Sequence, residues 1–564
     1  RWLDVSSHLF IYTKDIFICT IQHVSINMTQ IHHKTQYKWL RRLFETTVVQ
    51  YLFASSKASH KALVVSNKSG NYQVHAADFE TGFSRQVTDA PHGALFGSIS
   101  PDGEYIFALN DRGGGEHGHF TRVLFTGGKK INITPKLPAY YSYSVSSSES
   151  NDTLCFTAAV EGKNKVFVVP YQQNTSGLPK EVYSTTLAIS EPAISLDGKY
   201  ICVTETDGAG RGSTIILIND TNHKTVYKRS RIFNAVIPLA FSNTVGSTTV
   251  FALARLKGWY RPILYDFTQK RVSEISHPSF NGDVWVLKLN EKNGTMLLCD
   301  VYKARQTLYL YDIYTKRAKR VGPKAGSFNF HFDSAVVLKD SSLILKWHDF
   351  NTSPRLLKLH APRYDTWNEI SQWSGNVSTK HLFESVRFQS SDGEFVQMWV
   401  ARPKEVKKPI PFVINIHGGP HGVAGDEYSP EAQAWLKAGF GYCAVNYRGS
   451  IGFGREFEQK IYGNPGHWEV EDVVAGRNWL TKKGYADPKN IVLYGWSWGG
   501  YVTLLALGKY PLLWKCGIAG AAIADCVMQY EDEPAYFKAE DKKRFKGTPS
   551  TAHMRYLRSS PSTY

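Results

Sequence analysis

The sequence predicts two folded units in tandem: a β-propeller, with seven blades the expected number, followed by a doubly wound, mostly parallel sheet with helices on both faces. Three observations predict this. Residues 60–375 repeat a turn-and-strand unit with a period of 43 to 50 residues. After about residue 380, strands alternate with helices. The chain has 564 residues, too many for one hydrophobic core. The boundaries read from these patterns are 1–55 for an N-terminal segment with no assigned structure, 56–378 for the propeller and 379–564 for the α/β domain.

The repeat is clearest in "SPDGEYIFAL" from Ser100 and "SLDGKYICVT" from Ser195. Each is a Ser-x-Asp-Gly turn followed by a β-branched and aromatic strand. Weaker copies begin near Ala62, Leu154, Val250, Met296 and Leu343. Strand starts at 62, 105, 154, 200, 250, 296 and 343 give spacings of 43, 49, 46, 50, 46 and 47. A second and third strand follow in most units, as in "TLYLYDIYTKRAKRV" from Thr307. Several strands per unit at this period mark a propeller. No stretch of the region has a helical period over ten or more residues, which excludes helical solenoids. Ser100 and Ser195 lie 95 residues apart, about two periods, so they should hold equivalent places in blades two apart.

The second unit opens with "FESVRFQSSDGEFVQMWVARP", a hairpin with strands at 383–389 and 394–401. "PFVINIHGG" is a buried strand, 411–417, and "EAQAWLKAG" a helix ending at Gly439. "GYCAVNYRG" supplies a strand at 441–447. "VEDVVAGRNWLTKKG" is a helix whose apolar face carries Val470, Val473, Val474, Trp479 and Leu480. The last strands are at 491–495 and 515–523.

The chemistry is concentrated in "IVLYGWSWGGY", Ile491 to Tyr501. A strand runs into Gly-x-Ser-x-Gly and then into an apolar helix, the layout that presents a serine nucleophile on a sharp turn. Ser497 is the candidate nucleophile. Gly495 and Gly499 remove side chains where strand and helix crowd. The backbone N–H of Trp498 becomes one oxyanion donor. The second donor is expected from "HGGP", which ends the strand two before the elbow strand, through the N–H of Gly418 or Gly419. The elbow follows the fifth strand of the unit, as in an α/β-hydrolase.

"HGGPHG", "VNYRGSIGFG", "HWEVEDVVAGRNWL", "DPKNIVLYGWSWGGYVT" and "SSPSTY" together resemble the prolyl oligopeptidase family of serine peptidases, closest to its acylaminoacyl-peptidase and dipeptidyl-peptidase-like branches. The resemblance is close over 380–564 and only architectural in the propeller. It implies a propeller that caps an α/β-hydrolase domain and admits short peptides. Ser497 is then the nucleophile and Trp498 N–H an oxyanion donor. A tyrosine hydroxyl that some members use as the other donor falls here on His417, which favours the Gly418 or Gly419 amide. Tyr447-Arg448-Gly449 reads as a structural part of the motif. Dipeptidyl members hold the substrate amine with paired glutamates, and no Glu-Glu dipeptide occurs here, which weakens that specificity. In the family order the triad acid follows the seventh strand and the histidine the eighth. Six strands are read here, so the sequence is expected to be a C-terminally truncated piece that turns over substrate poorly by itself. Asp525, Asp532 and His553, downstream of the serine, are not expected to substitute. Two other readings share the fold: a non-catalytic binding or scaffold protein, against which the intact elbow argues, and an esterase, against which the obstructing propeller argues.

The formal net charge is +17 and the pI about 9.3, yet the basic residues are scattered. The densest runs, Lys316–Arg320 and Lys542–Arg544, read as solvated surface, so no nucleic-acid partner is expected. The seven cysteines form no C-x-x-C, and no metal or cofactor is expected. The stretch "HLFIYTKDIFICTIQ" is broken by Lys14-Asp15 and is neither a signal-peptide core nor a membrane span. Asn-x-Ser/Thr occurs at Asn27, Asn67, Asn132, Asn151, Asn174, Asn219, Asn293, Asn351 and Asn376, nine of the 19 asparagines before residue 380 and none of the five after it. That contrast favours a secreted or luminal glycoprotein over a cytoplasmic one.

Overall fold

A computed structural model describes residues 38–564 except 112–116, 143, 149–151, 172–177, 207–212, 220–223, 234, 404–405 and 407. The propeller sheets are antiparallel throughout. The first blade comprises Val49–Ala54, Lys61–Ser69, Asn71–Asp78 and Ser84–Gln86. The second and third run from Gly97 to Thr185. They are joined into one nine-stranded sheet because Tyr140–Tyr141 pairs with both His117–Gly118 and Ala159. Four more blades span 188–233, 236–274, 283–321 and 327–369.

Seven blades follow from the seven strand starts, and the observed strands begin at Lys61, Tyr105, Thr153, Tyr200, Thr249, Thr295 and Leu343. The sequence placed the first blade too late. Val49–Ala54 pairs directly with Lys61–Ser69, so the propeller begins at Val49 rather than at 56. It has no Ser-x-Asp-Gly signature, and only its partner strand reveals it.

Alternation along each strand holds the ring together. Leu63 and Val65 pack with Ile99, Ile106 and Val123 of the second blade. Ala62 and Val64, on the opposite face, pack with Val336, Ile344 and Leu356 of the seventh. The five remaining blade-to-blade contacts each have an apolar cluster of this kind, so the ring closes through burial from the last blade back to the first. Ser100 and Ser195 take equivalent places in the second and fourth blades. Their hydroxyls accept the N–H of Tyr105 and of Tyr200, both at 2.9 Å, and donate to Asp102 and Asp197.

The α/β domain holds a six-stranded sheet in the order Phe383–Gln389, Phe395–Ala401, Gly441–Asn446, Ile410–Ile416, Ala486–Trp496 and Cys516–Gly520. The last four strands are mutually parallel. Helices Pro430–Lys437, His467–Lys482 and Trp498–Lys509 cover it. No helix among the described residues is long and apolar enough to cross a membrane.

The two units are bonded across their interface. Asp283 accepts the N–H groups of Tyr260 (2.8 Å) in the propeller and Gly452 (3.0 Å) in the α/β domain. Asp426 accepts those of Gly326 and Phe350 at 2.9 and 3.0 Å. Arg255 and Glu458 form a buried ion pair across the same boundary.

Candidate active site

Ser497 stands between the strand Ala486–Trp496 and the helix Trp498–Lys509 with φ 56° and ψ −121°, in the left-handed region that a non-glycine residue enters at a cost. Its N–H donates to Gly520 O (2.9 Å) and its carbonyl accepts the N–H of Tyr501 (2.9 Å). The backbone is therefore fixed on both sides while the side chain stays exposed. The spacing of the two motif glycines has a direct cause. A Cβ at Gly495 would collide with the carbonyl of Gly499, and a Cβ at Gly499 with that of Ile416 in the neighbouring strand.

The His417–Pro420 loop faces this turn. A Cβ on Gly418 would lie 3.6 Å from Ser497 Cβ and 3.8 Å from Trp498 N. The Trp498 N–H is the first amide of its helix, where the helix dipole favours negative charge. Gly419 has φ 130°, a conformation closed to side chains, which lets the loop reverse next to Pro420.

His417 itself turns away. Its ring stacks on Tyr447 at 4.3 Å, and its nitrogens contact Gly418 O and Ser450 Oγ, both at 2.8 Å. Burial pushes its pKa down to about 4, so it is neutral at pH 7. The Tyr447 hydroxyl donates to His417 O at 2.8 Å, which makes Tyr447 a strut for the glycine loop. Arg448 is locked behind it. Its backbone N–H and its guanidinium bond Asp472, and the guanidinium also reaches Ser390 and Asp392. His421 is engaged at both nitrogens too, by Gly449 O (2.9 Å) and Tyr462 OH (3.1 Å), and burial holds its pKa near 3.

The downstream residues lie elsewhere. Asp525 caps a helix, accepting from Val527 N and Met528 N. Asp532 is exposed at the end of that same helix, and His553 is exposed at the start of the helix His553–Ser559. One surface reading needs correction. Lys316–Arg320 is mostly exposed, whereas Lys543 and Arg544 are turned inward. Arg544 pairs with Asp541 and lies 4.7 Å over the Trp498 ring. Beside Trp498 sits Glu469, fully buried, its Oε2 accepting Gly466 N–H at 2.9 Å and its pKa pushed up to about 7 by burial. Nothing in the residue order around Arg544 signals this place, because 47 residues and two helices separate it from the serine.

Beyond Pro420 the loop continues into the wall of a cavity of about 390 Å³ between the two units. Trp285, Phe330 and His331 of the propeller face His421, Gly422 and Ile451 across it.

The sequence profile of the prolyl oligopeptidase family matches residues 426–564. The chain is 25% identical to acylamino-acid-releasing enzyme 1 of Oryza sativa subsp. japonica over 237 residues, 38% of this chain and 30% of that enzyme. It is 32% identical to the human acylamino-acid-releasing enzyme over 143 residues, 24% and 18% of the two chains. It is 28% identical to dipeptidyl-peptidase 5 of Schizosaccharomyces pombe over 240 residues, 41% and 34%. The matched part thus spans about a third or less of these relatives. Among solved structures, one from a study of two prolyl endopeptidases superposes with a TM-score of 0.76 at 16% identity, covering 93% of this chain and 79% of that one. A puromycin-hydrolyzing peptidase of Mycobacterium tuberculosis gives 0.74 at 16%, covering 91% and 84%. These superpositions establish the shared fold of propeller and α/β-hydrolase domain.

Proposed function

We propose, from the match of residues 426–564 to the prolyl oligopeptidase family, that the protein is a serine peptidase acting on short peptides through an acyl-enzyme on Ser497. The observation that carries this reading is the elbow: an exposed serine, held at φ 56° by backbone bonds on both sides, facing the Gly418 loop. In the proposed reaction Ser497 Oγ attacks the scissile carbonyl and loses its proton to a base. The oxyanion is held by Trp498 N–H together with Gly418 or Gly419 N–H. The peptide amine leaves with the proton, and water then releases the acyl group. His417 and His421 are not the base, because both nitrogens of each ring are engaged. Trp498 is steadied by Arg544 over its ring, which keeps its amide aimed at the same point. The seven-bladed ring over the domain restricts access to short chains, and that disfavours an esterase for bulky lipids.

Acylaminoacyl, dipeptidyl and oligopeptidase specificities are the family's alternatives. The likeness to acylamino-acid-releasing enzymes favours the first, since no Glu-Glu pair is present for the second. A secretory location rests on the nine Asn-x-Ser/Thr sites. Of these, Asn132, Asn293 and Asn376 are exposed, while the amides of Asn67 and Asn351 are tied to the backbone. The test is covalent labelling of the full-length protein with a fluorophosphonate. Label should map to Ser497 and vanish in Ser497→Ala together with peptide hydrolysis, a loss of roughly 10⁴-fold or more. Label on another residue, or hydrolysis that survives the substitution, would overturn the assignment.

A further inference from the structure

Next to the cavity beside the glycine loop lies a second one, of about 450 Å³, which shares Gln306, Phe330, His331 and Glu427 with it. That is the size of a small-ligand site. Its walls come from residues 43–48, from the first, sixth and seventh blades and from the loop that leads into the helix Pro430–Lys437. Two opposite charges face this space without pairing. Lys346 has no ion-pair partner among the described residues, and its ammonium donates only to Gln50 O at 3.3 Å. Glu427 likewise has no ion-pair partner among them. Burial weakens both charges: it drives the lysine down to about 8, although Glu427 attracts it, and it drives the glutamate up.

Other groups around the space have capacity to spare. Gln306 spends its Oε1 on Phe328 N–H and Cys299 Sγ, leaving its amide N–H₂ without a partner among the described residues. His348 accepts Tyr428 N–H at Nδ1 and is held neutral by burial, so its other nitrogen remains. Tyr51 and Phe330 supply aromatic surface around His331. An unpaired charge at a buried wall is unfavourable until something compensates it. Here one ligand can compensate both at once, if it carries both signs.

The geometry points to a binding site for a zwitterionic dipeptide, its ammonium at Glu427 and its carboxylate at Lys346, with the side chain on the aromatic wall. This site is separate from the Ser497 chemistry and uses none of its groups. Its consequence is that short peptide termini, whether of a product or of a free dipeptide, are retained inside the ring rather than passing through it.

The test is titration calorimetry on full-length protein carrying Ser497→Ala, so that nothing is turned over. The ligands are alanyl-phenylalanine, its N-acetyl form and its C-terminal amide. The free dipeptide should bind saturably at one site, and blocking either terminus should weaken it by roughly tenfold or more, the scale of a charge-assisted bond. Lys346→Met should abolish the preference for acid over amide while keeping the preference for a free amine. Glu427→Gln should do the reverse. Absence of saturable binding, equal binding of the blocked forms, or a variant that weakens all three ligands alike would overturn the site. Fluorophosphonate labelling of the unsubstituted serine reads the peptidase proposal separately, so either can fail alone.

Discussion

At Gly499 a single hydrogen in place of a methyl group decides whether the elbow can form, because the Ile416 carbonyl occupies the place a Cβ would take. Gly499→Ala should therefore force strand and helix apart. We expect a loss of about 1–3 kcal/mol of stability, the usual cost of overpacking, read by denaturant unfolding. Fluorophosphonate labelling should fall more steeply, because Ser497 shifts relative to Gly418. Glu469 gives a pH signature at the same scale. Its carboxyl is raised to about 7 in the folded protein, mainly by burial. Between about 4.5 and 7 the native state therefore binds more protons than the unfolded chain, and this residue's contribution to stability falls as pH rises through that window. Unfolding free energy measured from pH 4.5 to 7.5 should show a shallower decline in Glu469→Gln than in the parent. Identical slopes would mean that the carboxylate is charged in place.

At the scale of elements, the strand Gly441–Asn446 and the helix His467–Lys482 share one apolar cluster, and just past the strand Arg448 ties it to the helix through a buried ion cluster. Arg448 and Asp472 are both essentially inaccessible, and the guanidinium bonds Ser390 and Asp392 as well. A buried pair contributes little net stability against an apolar substitute, but removing one partner leaves a buried charge uncompensated. Asp472→Ala is expected to cost about 3–5 kcal/mol in chemical denaturation. Because Arg448 adjoins Tyr447, which holds His417 O, the damage should spread to the glycine loop and lower serine labelling. Unchanged stability would show that water enters to solvate Arg448.

For the whole molecule, the issue is how rigidly the ring is held over the α/β domain. Arg255 and Glu458 are 203 residues apart in sequence, and both are buried where they meet. Burial raises the Glu458 carboxyl while Arg255 opposes that shift. Glu458→Gln should leave Arg255 unpaired and destabilise the interface by about 3–5 kcal/mol. Limited proteolysis should then release the propeller and the α/β domain as separate fragments sooner than in the parent. The double change Arg255→Met with Glu458→Leu should recover much of the loss, which a mere packing defect would not do.

What the sequence determined by itself is whatever short-range rules govern. Turn chemistry at Ser100 and Ser195, strand alternation and the glycine spacing around Ser497 act within about ten residues. That is why the seven strand starts and the position of the elbow were legible without coordinates. The Val49–Ala54 strand was not, because it has no turn signature and is specified by its partner Lys61–Ser69 and by contact with the seventh blade. The tertiary structure alone decided that His417 would turn away from the serine and that Arg544, in a stretch resembling solvated surface, would lie over Trp498. It alone brought Lys346 and Glu427 to one cavity. In each case the partners are far apart along the chain. Their meeting depends on how the ring closes and how it seats on the sheet, and burial rather than local propensity sets the outcome.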